Sequence, residues 1–196
     1  MELEEKILMQ SINLNILSNI FTEYSNELIK ENIDNAIKNY KQYVDNYIVN
    51  LTNKNALECS FIIKGLLEGT MQLYLYSTNN NISNIDLNRL IEIYESTEEE
   101  KDTDTKLKKK YILELKQSIY NDTKINIKKP ENRTTLERIK KINNNTTNIF
   151  KIKNENNIEN IVELTEEFLL ILEELTHKLE NIKESKENNR KNLTKF

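Results

Sequence analysis

His177 is the only histidine of the chain, and in Glu174-Leu175-Thr176-His177 it follows a carboxylate at the spacing that di-iron bundles use to set two ligands on one helix face. That chemistry needs the Glu-x-x-His pair twice. There is no second histidine and Cys59 is the only cysteine, so the sequence assembles neither a second ligand pair nor a cysteine-rich zinc set. A histidine-based triad would depend on the same His177, and nothing in the sequence brings a nucleophile to it. Cys59 lies in an apolar helical pattern, where a thiol acts as a small core hydrophobe, and with one cysteine no internal disulfide can form. The two glycines, Gly65 and Gly69, fall inside a helical pattern without the Lys-Ser or Lys-Thr that a phosphate loop requires. Glu58 and Glu68 are ten residues apart, about 15 Å along a helix, too far for a catalytic carboxylate pair on that helix alone. The expectation is a non-enzymatic protein with no metal and no cofactor.

Residues suited to binding are better represented. Gly65 and Gly69 each cost about 1 kcal/mol relative to Ala inside a helix, a cost that close approach of another helix, or of a partner against bare backbone, would offset. Tyr40, Tyr43 and Tyr47 share a second helix, with Tyr74 and Tyr76 on the glycine helix, and large amphipathic rings lose little entropy on binding. Tyr40, Tyr43, Tyr47, Gly65 and Gly69 are therefore the candidate partner-binding residues. Charge supplies the alternative. Residues 106–153 hold 14 Lys or Arg against 4 Asp or Glu, so a chain of net charge −4 carries −14 elsewhere. Lys108, Lys109, Lys110, Lys128, Lys129, Arg138, Lys140 and Lys141 could meet nucleic-acid phosphates, with Tyr111, Tyr120 and Phe150 stacking bases. Neutralisation of the same segment by the acidic helix that follows is the competing expectation. Thr134 to Ile139 shares only its last helix with a helix-turn-helix, because the preceding helix and turn are missing.

These residues need elements to hold them. Leu3, Ile7, Gln10, Leu14, Leu17, Phe21, Tyr24 and Leu28 recur at gaps of four and three, with Ile12, Ile16 and Ile20 as a second stripe, which predicts a first helix packed on more than one neighbour. The pattern restarts as Ile33, Ile37, Tyr40, Val44, Tyr47 and Leu51 after Asn32, a capping residue, so the two form a helical hairpin. Cys59 to Tyr76 is the most apolar run and predicts a central Gly-x-x-x-Gly helix, too short and too often interrupted by charge to span a membrane. Phe61 to Leu73 is similar to a stretch in uncharacterised small helical proteins of Gram-positive bacteria and phages, a likeness that implies no activity. Asp86 opens another helix through Leu87, Leu90, Ile91 and Tyr94; Leu107 to Ile119 and Leu136 to Ile142 give two more. The runs 124–128 and 149–153 alternate like short strands. Ile158 to Ile182 predicts a long acidic helix whose seam could pair with its own copy.

The fold expected is thus an all-α multi-helix bundle: an N-terminal hairpin packed on the glycine helix (1–78), a second helical subdomain (82–187) with the basic segment 106–153, and a disordered tail (188–196). With 24 Leu, 26 Ile, 3 Val and 5 Phe, the chain can build a core of Ile and Leu. The bias toward Asn, Ile and Lys reflects A+T-rich codons, and the acidic Met-Glu-Leu-Glu-Glu start carries no targeting signal, so a cytoplasmic protein of a low-GC bacterium is expected. The function expected is binding to another protein, as a regulator or inhibitor encoded by a phage or mobile element, with self-association as its simplest form and nucleic-acid binding as the alternative.

Overall fold

The computed structural model describes residues 2–78, 85–100, 133–147 and 157–193. These form six helices, α1 (Leu3–Leu28), α2 (Asp34–Thr52), α3 (Ala56–Ser77), α4 (Leu87–Glu100), α5 (Thr135–Thr147) and the long α6 (Ile158–Leu193), and no strand occurs among the described residues. The protein is an all-helical bundle. The helix expected from Leu107 to Ile119, both strand-like runs, and Lys108, Lys109, Lys110, Lys128 and Lys129 lie outside the described residues. No helix among those described is long and apolar enough to cross a membrane.

Local sequence chemistry sets several helix starts. Asn32 accepts the Asp34 amide through Oδ1 at 3.0 Å, Asp86 accepts the Arg89 amide at 3.0 Å, and Asn157 accepts the Asn160 amide at 2.8 Å. Thr134 and Glu137 cap reciprocally: the Glu137 amide donates to Thr134 Oγ1 at 3.2 Å and the Thr134 amide to Glu137 Oε2 at 2.7 Å. Between α2 and α3 the chain turns through Lys54, whose φ of 57° is left-handed and whose ammonium bonds Glu4 at 2.8 Å.

At the centre, α3 touches all five other helices. Its buried residues, Cys59, Ile63, Leu66, Leu67, Met71, Leu73, Tyr74 and Leu75 among them, cover most of its circumference, as a helix surrounded on all sides requires. α1 packs on α2, α3 and most extensively on α6, to which Gln10 Nε2 donates at Val162 O (2.8 Å). The seam of α6, including Ile161, Leu164, Phe168, Leu172, Leu175 and Leu179, is buried inside the chain, and its helix continues past Ser185 to Leu193. The buried apolar residues of all six helices form one cluster. The second stripe of α1 behaves differently from its pattern: Ile12, Ile16 and Ile20 are 46%, 52% and 36% exposed. An isoleucine-rich composition places isoleucines on the surface as well as in the core, so the width of a stripe overstates the width of the contact.

Charge docks α5. Glu167 of α6 is buried and accepts bonds from Arg133 (2.6 Å), Lys141 (2.9 Å) and Arg138, while Lys141 also bonds Glu163 (2.8 Å) and Lys140 bonds Glu95 of α4 (3.0 Å). Burial disfavours the Glu167 charge, but the bonds from Lys141 and Arg138 outweigh it and hold the carboxyl below its ordinary range. Replacing Glu167 by Gln leaves those cations facing a neutral acceptor. The expected cost is roughly 2 kcal/mol, measured as a lower urea midpoint. Because the folded-state value is depressed, ionised Glu167 stabilises the fold above the unfolded carboxyl value of about 4.3; this contribution fades as pH falls through the lower folded value. Wild type should therefore lose more stability than Glu167→Gln on acidification.

Candidate partner-binding groove

A pattern of buried residues at Tyr40, Val44, Tyr47 and Leu51 lays α2 along α3. The two glycines of α3 lie beneath this contact. A Cβ on Gly65 would come within 3.3 Å of Tyr43 Cε1, and one on Gly69 within 3.1 Å of Tyr40 Cδ2. What approaches the bare backbone is therefore a pair of tyrosine rings, one helical turn apart, over glycines one helical turn apart.

Tyr40 is fixed at both ends. Its ring sits beside Phe21 of α1 at a centroid distance of 6.3 Å, and its hydroxyl is 2.8 Å from Thr70 Oγ1. Thr70 gives its own proton to Leu66 O (2.8 Å), which leaves the tyrosine as the donor. Seven residues on, Tyr47 repeats the arrangement: its hydroxyl lies 2.7 Å from Thr165 Oγ1 of α6, and Thr165 donates to Ile161 O at 2.7 Å. Burial pushes both phenols well above their ordinary value, so they remain neutral donors.

Beside the glycine contact a groove of about 590 Å³ opens between α2, α3 and the α1–α2 connection. Tyr40, Tyr43, Gly65 and Gly69, four of the five candidate partner-binding residues, line it together with Tyr76. Tyr43 is 53% exposed, whereas Tyr40 is buried at 6%. Tyr47, the fifth candidate, has no exposed surface and sits in the core between α2 and α6. Tyr74 is buried as well, edge to face with Tyr94 at 5.8 Å. The sequence pattern did not mark Ile29 and Glu31 as groove residues, since they come from the connection between helices where no periodicity applies, and it gave Ile33 only as the first apolar position of the second helix.

No family model matches this sequence, and neither a curated protein nor a solved structure shows significant similarity to it. Function must be read from the geometry.

The residues considered for chemistry are placed apart. His177 is exposed, its Nδ1 3.4 Å from Glu180, while Glu174 turns to Lys178 at 3.4 Å. Among the described residues no group of three or more His, Cys, Asp or Glu could hold a metal ion. The Cys59 thiol is buried, and burial, followed by the neighbouring Glu58 charge, pushes it up to about 12, so it stays protonated at neutral pH. Lys178 loses from burial but gains more from the Tyr94 hydroxyl (2.9 Å) and Glu98 (3.0 Å), and remains charged. Of the candidate phosphate-binding cations, Arg138, Lys140 and Lys141 are each bonded to a carboxylate of α4 or α6.

The glycines differ in what surrounds them. Tyr43 is exposed and can swing away from a new methyl, so Gly65→Ala should keep most of the gain of about 1 kcal/mol in helix propensity. Tyr40 is held by Thr70 and by burial, so Gly69→Leu should lose about 1–3 kcal/mol by overpacking. Urea denaturation of the two variants should move the midpoint in opposite directions.

Proposed function

We propose that this chain is a non-enzymatic helical binding protein that docks another protein in the groove between α2 and α3, acting on that protein as a regulator or inhibitor. The observation that carries the reading is the convergence of Tyr40, Tyr43, Gly65 and Gly69 on one concave surface of about 590 Å³. An exposed tyrosine ring on a rigid helix is an effective anchor for a partner, because little side-chain freedom is lost on contact. The nucleic-acid alternative receives less support: its three described cations already face carboxylates within the fold. A phosphate would have to compete with those bonds.

Tyr43→Ala separates binding from folding, since the ring is half out in solvent and its hydroxyl makes no hydrogen bond among the described residues. Affinity capture from the native host should retain a discrete protein on wild type. Tyr43→Ala should weaken that complex by at least about fivefold, the loss of an interface residue worth roughly 1 kcal/mol, while the helical circular-dichroism spectrum is retained and the melting temperature falls only modestly, through loss of the packed half of the ring. Equal retention by both forms, or no retained protein, would contradict the proposal.

A further inference from the structure

The groove is chemically one-sided. Among the described residues, Glu31 and Glu68 are the only charged ones that line it, and no described lysine or arginine does, although Lys30, Lys38, Lys41 and Lys64 are close in sequence. Neither carboxylate makes an ion pair or hydrogen bond among the described residues, and Lys64, one turn before Glu68 on α3, leaves it unpaired. Glu31 is exposed and Glu68 half-buried, so both can reach an incoming group. Two tyrosines with exposed surface, Tyr43 and Tyr76, supply the aromatic walls, with the buried Tyr40 beneath them. The faces of such rings carry negative charge density and attract cations, most often the guanidinium of arginine. The surrounding field has the same sign, because residues 1–78 contain ten Asp or Glu against six Lys or Arg.

We infer that the groove accepts a basic segment of the partner protein, with a cationic side chain held between the tyrosine rings and the carboxylates of Glu31 and Glu68. This inference rests on the docking function proposed above. Charge complementarity chooses the occupant: two acids with no partner among the described residues, beside aromatic walls, favour a guanidinium or ammonium and oppose an acidic or phosphorylated segment. Ile29, Ile33 and Leu73 give the cation's apolar stem and its neighbours a surface to cover. Gly65 and Gly69 line the groove where the Tyr43 and Tyr40 rings rest on α3, and so set how deep those rings sit.

The test uses the full chain and two small probes, N-acetyl-argininamide and N-acetyl-citrullinamide, which share a shape and differ in charge. Titration followed by the ring resonances of Tyr43 and Tyr76 should show saturable shifts with the arginine compound, at least about fivefold tighter than with citrulline, while Tyr94 stays unmoved. The double substitution Glu31→Gln with Glu68→Gln should abolish the preference, and added salt should weaken it. Equal binding of the two probes, or no shift at either ring, would overturn the inference. The docking function would survive either result if capture of the partner were still lost in Tyr43→Ala, and would fall with it if capture were unaffected.

Discussion

Two tyrosine rings of α2 resting on two glycines of α3 fix the position from which the remaining contacts follow. With rings at 3.1–3.3 Å from where Cβ atoms would be, a methyl at either glycine would push its ring back by a few tenths of an ångström, which the exposed Tyr43 can absorb and the buried Tyr40 cannot. Once Tyr40 is seated, its hydroxyl meets Thr70 and its ring meets Phe21, so the same side chain sets α2 against α3 and orients α1. Seven residues later Tyr47 ties α2 to α6 through Thr165. Both hydroxyls donate to a threonine whose own proton returns to its helix backbone, which satisfies every polar atom of the pair without water. The groove arises where this seam ends: Tyr40 disappears under the helix, and Tyr43 leaves one face in solvent.

Electrostatics organises the other side of the bundle. The sequence separates basic from acidic blocks, and in the fold the described cations of α5 reach the acids of α4 and α6, with Glu167 serving Arg133, Arg138 and Lys141 together. The polarity of the chain is, for these residues, internal complementarity between helices and not a free surface. Glu31 and Glu68 stand outside this pairing, which is why the groove and the α5–α6 contact have opposite electrostatic characters although both contain carboxylates.

Helix existence was legible because gaps of three and four at Ile7, Leu14, Phe21 and Leu28, at Tyr40, Val44, Tyr47 and Leu51, and from Ile161 to Leu179 record one face of each helix. Which faces meet was not, since periodicity carries no information about partners: the long helix lies along α1, its most distant neighbour in sequence. The same limit applies to the tyrosines. Tyr40, Tyr43 and Tyr47 occupy one side of α2, yet a step of one turn separates an exposed ring from a hydroxyl buried against another helix. Helical spacing puts Thr70 on the apolar face of α3, but a pattern of apolar residues does not reveal that Thr70 and Thr165 accept from tyrosines of α2. One signal was present and informative: Thr134-x-x-Glu137 is the spacing of a capping box, and it sets the start of α5.

The packing of α2 on α3 depends most on the rings of Tyr40 and Tyr43 lying against the backbone of Gly69 and Gly65. A nuclear Overhauser spectrum of the isotope-labelled chain measures that contact without any substitution. Strong cross-peaks from Gly69 Hα to the Tyr40 ring and from Gly65 Hα to the Tyr43 ring are predicted. Glycine α-protons that show cross-peaks to neither tyrosine would contradict the packing of α2 on α3 and, with it, the groove.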